Sequence, residues 1–329
     1  TKDNELILDH EVEKLLKIFS LVQSIKNQLV VKNPGGLTFG HYTSGKVLQL
    51  FLKQGKEESR GKNKYLSRTK SRLNNVNYMN DPSEGKVLDQ LLNLDTVNQK
   101  LTLKPSPWFL MSLTTAVDQL TMWSQYGNQA KGVCVVLASD DFSAVDFASN
   151  ADWLTIANNI THSNDDEVEG ITQKNKGSKD FIYRIGYLSK QDNKEVSLNK
   201  EHNAHLDVGE ISKLLKVLKE TMIDIDKESS LYEKVNECLE EIRYLFKSAD
   251  YSYESELRVL KYMPLEPDNP KIKIDDSGDF AKLYIERDNP IQISEVIFGP
   301  KFQNPENVTP LLRLLDKNIK FRQSEISFR

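Results

Sequence analysis

Leu8, Val12, Leu15, Phe19, Val22, Ile25 and Leu29 recur at spacings of three and four, which gathers them on one stripe of a helix that turns every 3.6 residues. The spacing predicts a long amphipathic helix over residues 5–31. Asn33, Pro34, Gly35 and Gly36 end it, because proline and paired glycines do not continue a helix. Residues 1–36 therefore read as an N-terminal helix and linker, added to a unit that runs over residues 37–329. In that unit residues 37–42 read as a short strand. Thr43 or Ser44 is placed to cap the next helix, which carries Val47, Leu48, Leu50, Phe51 and Leu52. Asn80, Asp81 and Pro82 read as a turn and cap at the start of another helix, with Val87, Leu88, Leu91 and Leu92 as its apolar face.

Residues 108–113 read as a strand, 115–126 as a helix leading into Gly127, and 132–138 as a strand that is apolar, β-branched and bounded by turn-formers. Residues 183–188 alternate in strand fashion. Between about residues 190 and 250 the pattern changes: Leu214, Leu215, Leu218, Met222 and Ile225, then Val235, Leu239, Ile242 and Leu245, mark two helices with charged outer faces. Strand signals return at 257–262, 283–286 and 293–298, followed by a helix near 305–315 and a last strand pair around 319–328. Strands on both sides of a helical insertion predict one α+β domain.

Composition adds limits. Hydrophobic content of 38% and charged content of 28% are those of a globular chain. The 44 basic and 48 acidic residues leave a formal charge of -4, so no broad positive field awaits a nucleic-acid backbone or an anionic membrane. A local basic run, Lys53, Lys56, Arg60, Lys62, Lys64, Arg68 and Lys70, reads as a solvated loop in preference to a phosphate-binding surface. Cys134 and Cys238 are the only cysteines, so no disulfide framework is indicated. Neither a signal-peptide pattern nor an apolar run of about 20 residues is present. A cytoplasmic location is expected, in the producing cell or in a host cell that receives the protein.

A glycine-rich phosphate loop, paired zinc-ligand spacing and a nucleophile elbow are all missing, which excludes an ordinary P-loop ATPase, Rossmann dehydrogenase or zinc hydrolase. Of the five histidines, His10, His162, His202 and His205 sit in polar or helical contexts. His41 instead ends an apolar strand just before a capped helix, where side chains commonly meet a ligand. Trp123 and Tyr126 flank a helix end beside Gly127. They either offer a flat surface to a heteroaromatic ring or, for Trp123 above all, fill the core at helical spacing. Glu254, Glu256 and Arg258 alternate, so a strand would project them from one face. That face is either a solvated edge or a functional one.

In order and spacing, Gly40, His41, Tyr42, Thr43 and Ser44, the run from Tyr78 to Glu84, Met122 to Gly127 with Gly132 to Val135, Glu254 to Arg258, and Phe298 to Lys301 resemble the bacterial domain-of-unknown-function family 2971. The likeness spans roughly residues 37–329, with the 190–250 region expanded. The His41 motif and the helix after it also resemble the first motif of ADP-ribosyltransferases, including the DarT type, whose sites combine a histidine, an aromatic and a glutamate. That resemblance implies an α+β fold of split mixed and antiparallel sheets with surrounding helices, and NAD as substrate. It implies that His41 holds a ribose hydroxyl, that Tyr42, Thr43, Ser112 and Trp123 line the nucleotide, and that Tyr126 packs on the nicotinamide. Glu256 would engage the nicotinamide ribose and Glu254 the acceptor, with the two roles interchangeable. Arg258 would pair with the pyrophosphate or orient the glutamate, the latter being preferred because both lie on one strand face. A carboxylate suits this chemistry because cleavage of the nicotinamide glycosidic bond builds positive charge at the ribose carbon. The implied setting is a toxin, effector or phage-defence enzyme acting on a protein or nucleic acid and on no membrane, with helices 5–31 and 207–247 as candidate docking faces.

Two other readings stand beside it. Asp81, Glu84, Glu254 and Glu256 have the oxygen ligands that magnesium prefers, with Lys261 nearby, as in a metal-dependent nuclease. That reading leaves His41 and the aromatic pair without a task. The other is a non-catalytic module whose long helices dock a partner.

Overall fold

Apolar, β-branched segments place the centre of the fold, and polar connections surround it. The computed structural model describes residues 2–51, 70–79, 85–94, 105–144, 179–191, 195–227 and 229–328. Its strands are β1 (Gly40–Thr43), β2 (Lys70–Asn75), β3 (Trp108–Thr114), β4 (Val133–Leu137), β5 (Tyr183–Arg184), β6 (Gly186–Gln191), β7 (Glu195–Leu198), β8 (Phe246–Ser248), β9 (Glu256–Tyr262), β10 (Lys273–Asp275), β11 (Lys282–Pro290), β12 (Ile293–Phe298) and β13 (Lys320–Gln323). The helices are α1 (Lys2–Leu29), α2 (Gly45–Phe51), α3 (Lys86–Leu91), α4 (Leu120–Gln125), α5 (Val208–Met222), α6 (Ser230–Arg243) and α7 (Thr309–Leu315). The class is α+β, with mixed parallel and antiparallel sheets.

Among the described residues, ten strands form one sheet in the order β10-β11-β2-β3-β1-β4-β12-β13, with β9 also on β3 and β5 beyond β9. β9 covers one edge of β3 from Trp108 opposite Tyr262 to Thr114 opposite Glu256. The opposite edge is shared. β2 takes Phe109 and Leu110, β1 takes Thr114 opposite Gly40, and residues 111–113 between them face no strand among the described residues. The sheet therefore forks at β3, and β1 goes on to pair with β4 along its length.

A second sheet, β7-β6-β8, starts just before the region read as a helical insertion, which holds β7 and β8 as well as α5 and α6. Asp207 and Ser229 cap these two helices by accepting hydrogen bonds from Glu210 N and Tyr232 N. Their apolar faces meet α1: Ile18, Val22, Ile25 and Leu29 share a core with Ile211, Leu215, Leu218, Val235, Leu239 and Ile242. Buried Lys26 pairs with Glu241 at 3.2 Å across this contact. The expected stripe holds at Leu15, Val22, Ile25 and Leu29, whereas Val12 is 49% exposed and Ile18, not expected, is fully buried. As for docking, the apolar faces of α1, α5 and α6 already cover one another.

Several expected boundaries move. Residues 183–188 are two strands in different sheets, parted at Ile185. Ser44, not Thr43, caps α2, accepting from Val47 N at 3.3 Å. α3 begins after Gly85, whose φ of 76° suits a residue without a side chain. The expected last strand pair is the single strand β13, after which Ile326 and Phe328 pack onto the core instead of pairing. Asn80, Asp81, Pro82, Glu84, His162 and the basic run from Lys53 to Arg68 lie outside the described residues. No described helix is long and apolar enough to cross a membrane.

If α1 is integral, Ile25→Ala, which empties a fully buried position, should cost ~2–5 kcal/mol in urea denaturation. A loss below about 1 kcal/mol would mean that α1 is a dispensable appendage.

Candidate functional site

The fork in the sheet brings His41 to Ser112. The imidazole Nδ1 lies 3.0 Å from the Ser112 carbonyl oxygen, on the stretch of β3 that no strand covers on that side. A carbonyl only accepts, so Nδ1 carries the proton and Nε2 presents a lone pair. Among the described residues Nε2 makes no hydrogen bond. Burial lowers the His41 pKa, and the bond to Ser112 only partly opposes that shift. The ring is neutral at neutral pH.

Ser112 also bears on the other side of the site, because its side chain is one of the groups that hold the Glu256 carboxyl ionised. Glu256 opens β9 and is 6% exposed. Arg258, two residues along the same face, grips it with Nε to Oε1 at 2.7 Å and a second nitrogen to Oε2 at 3.0 Å. Lys247 of β8 adds a contact to Oε2 at 3.3 Å. Burial alone would raise the Glu256 carboxyl, but the charges of Arg258 and Lys247, with the hydrogen bonds from Arg258 and Ser112, hold it down to about 2.

Glu254 arrives differently from the alternation expected of it. It ends the 3-10 turn Ala249–Glu254, and Ser255 then takes a left-handed conformation with φ 44° before β9 begins. The kink sets Glu254 beside Glu256 rather than one step further along the strand face. Lys247 donates to its Oε2 at 2.7 Å and the Tyr126 hydroxyl to its Oε1 at 2.6 Å, while Thr114 Oγ1 donates to its backbone carbonyl. Tyr126, 42% exposed, is the member of this set that faces solvent. It stands at the end of α4, ahead of a turn in which Asn128, Gln129 and Ala130 all have positive φ.

Tyr42 and Trp123 do not offer free ring faces. Their rings meet edge to face at 4.8 Å, and Trp123 is fully buried with its Nε1 donating to Asp118 at 2.8 Å. The Tyr42 hydroxyl donates to Ala116 O at 2.9 Å and accepts from Asp118 N at 2.6 Å. Both side chains fix the loop between β3 and α4, so the expected nucleotide contacts give way to a packing role. Thr43 is buried at the end of β1, opposite Val133. Arg258 is fully buried and engaged by Glu256 and the Tyr244 carbonyl.

Three groups in the cluster were not anticipated. Lys247 is buried, and Tyr187 accepts the Glu256 N–H at its hydroxyl at 2.8 Å. Asp118 gathers Trp123, Ser324 and Arg322. Nothing local in the sequence marks Lys247, whose partners come from a later turn and strand. With both carboxylates held by cations, Glu254 and Glu256 are poor metal ligands. No group of three or more metal-binding side chains exists among the described residues, and Lys261 lies apart on Asp180 at 2.5 Å. An open cavity of about 360 Å³ is lined by Asp118, Arg322 and Ile326 and by neither His41 nor Glu256.

Residues 122–259, from α4 into β9, match the model of the family described as protein of unknown function (DUF2971). The likeness to domain-of-unknown-function family 2971 read from the motifs therefore holds over this segment, which includes Tyr126, Lys247, Glu254, Glu256 and Arg258. No curated protein and no solved structure matches the chain.

Glu256 has a folded-state pKa below its ordinary value of 4.5, so its contribution to stability is complete above 4.5 and is lost as pH falls from there towards 2. Urea denaturation between about pH 6 and about pH 3 should show a steeper loss for the native chain than for Glu256→Gln. Equal slopes would mean that the ion pairs do not hold Glu256 as described. For His41, nitrogen NMR should find the Nδ1–H tautomer at neutral pH, whereas an Nε2–H ring or an imidazolium would contradict the bond to Ser112.

Proposed function

We propose that the chain is an NAD-dependent ADP-ribosyltransferase whose reacting centre lies between the His41 ring and the Glu254–Glu256 pair. The observation that carries this reading is the middle of β3, where Thr114 pairs with Gly40 on one edge and with Glu256 on the other and the Ser112 carbonyl receives the His41 ring. A histidine and a glutamate more than 200 positions apart in the sequence thereby meet at one strand. The forked sheet, with β1 and β2 parting from one edge of β3, supports a split-sheet fold of the ADP-ribosyltransferase kind.

The residues have tasks in such a reaction. Neutral His41 accepts a hydrogen bond from a ribose hydroxyl through Nε2. The bond between the ribose carbon and nicotinamide breaks, the pair of electrons leaves with nicotinamide, and a carboxylate stabilises the positive charge that develops on the ribose. The acceptor's nucleophilic oxygen or nitrogen then bonds to that carbon and gives up its proton. Glu254 is the better-placed carboxylate to meet substrate, because it adjoins exposed Tyr126. Glu256 is in the grip of Arg258. Tyr126 borders the nicotinamide, while Tyr42 and Trp123 act from beneath. The acceptor is a macromolecule, protein or nucleic acid, in a cytoplasmic setting.

Incubation with NAD should release nicotinamide or label a target. His41→Ala and Glu254→Gln should each slow this by ~10²-fold or more, the size of loss seen when one preorganised electrostatic contact is removed. Undiminished turnover in Glu254→Gln would remove that carboxylate from the reaction. A native chain that neither cleaves NAD nor melts higher in its presence would favour the non-catalytic module, and magnesium-dependent cleavage of DNA or RNA would favour the nuclease.

A further inference from the structure

Lys247 reaches the cluster by way of the region inserted between the strands of the large sheet. α6 ends at Arg243, the chain enters β8, and parallel pairing with β6 sets Lys247 opposite Tyr187. The groups around its ammonium are Glu254 and Glu256 at 2.7 and 3.3 Å, the Tyr251 ring at 4.7 Å, and, through those carboxylates, Arg258, Tyr126 and the Tyr187 hydroxyl. It touches one oxygen of each glutamate and is itself 6% exposed.

We propose that Lys247 is a positioning residue of the transferase site: by bonding one oxygen of each glutamate it fixes the two carboxylates together and leaves the other oxygen of Glu254 to the hydroxyl of half-exposed Tyr126. The catalytic meaning of this rests on the transferase reading, whereas the positioning itself does not. Two carboxylates this close in a water-poor volume repel, and without a cation between them one takes a proton and the other turns away. Arg258 grips Glu256 through two nitrogens, and Lys247 spans the pair by bonding Glu254 and Glu256 at once. Burial works against its charge, but Glu256 and Glu254 outweigh that and raise its pKa above the ordinary value. The inserted region thus completes the site as well as enlarging the fold.

The test compares Lys247→Met, which keeps much of the stem and removes the charge, with Lys247→Arg, which keeps the charge. Carbon-13 NMR of the glutamate carboxyls should show Glu256 titrating at least about one unit higher in Lys247→Met and near its native position in Lys247→Arg. With NAD, Lys247→Met should lose ~10²-fold in kcat with KM changed less than about threefold, its acid limb moving up in pH, and Lys247→Arg should recover most of the loss. An unmoved Glu256 titration in a folded Lys247→Met chain overturns the proposal. If Lys247→Met does not fold, Lys247→Arg decides alone, since a raised Glu256 there overturns it equally. Native protein with a depressed Glu256 but no NAD cleavage would sink the transferase reading and leave Lys247 as the spacer of the pair.

Discussion

Charges removed from water must be matched where they lie. At the head of β9, Glu254 and Glu256 face Lys247 and Arg258, with exposures of 4, 6, 6 and 0%. An isolated charge so placed would cost several kcal/mol, and the four are tolerable only because each has an opposite within bonding distance. The members come from both sheets: Lys247 from β8, Glu256 and Arg258 from β9, and Glu254 from the turn between them. Satisfying these charges therefore joins the small sheet to the large one. Arg258 extends the tie to the end of α6 through the Tyr244 carbonyl at 2.5 Å, and α6 in turn packs on α1. The site and the joint between the layers are one structure.

The same arrangement separates the roles of the ionisable groups. Burial keeps His41 uncharged, while burial of Glu256 is overridden by two cations, so a neutral acceptor and an ionised carboxylate stand on either side of Ser112 at neutral pH. Divergent environments acting on neighbouring groups are the usual means by which one site holds both acid–base states at once. Tyr126 closes the solvent side, and its phenol is held protonated by burial and by the hydrogen bond to Glu254.

Much of this was legible along the chain where burial is continuous. The run 133–137 is apolar on both faces, 257–262 and 293–298 are aliphatic with only two charged or polar side chains each, and each became a strand of the large sheet. β2 was not legible, because Lys70, Arg72 and Asn74 alternate with Ser71, Leu73 and Asn75, leaving a single aliphatic side chain to signal the buried face. α1 was found with most of its buried stripe, Val22, Ile25 and Leu29, while Ile18 joins it and Val12 leaves it where α5 and α6, distant in sequence, set the contact. Strict alternation led to Glu254 on the face of β9, whereas the left-handed Ser255 delivers it from a turn. Trp123 and Tyr42 carried motif positions, but only tertiary packing decides whether an aromatic at such a position is exposed. Lys247 had no signal at all, since its role comes from the β6–β8 pairing and from partners in the next turn.

The proposed function depends on β3 bringing His41 and Glu256 to one place and on the site beside them receiving a nucleotide. The most direct measurement is a crystal structure of the chain with NAD or a slowly cleaved analogue. The expected result places the nicotinamide ribose between His41 Nε2 and the Glu254 carboxylate, with Tyr126 at the ring and Arg258 still on Glu256. A nucleotide bound elsewhere, or none bound while Tyr126 and Lys247 stay closed on Glu254 at saturating NAD, would contradict a reacting centre at this position.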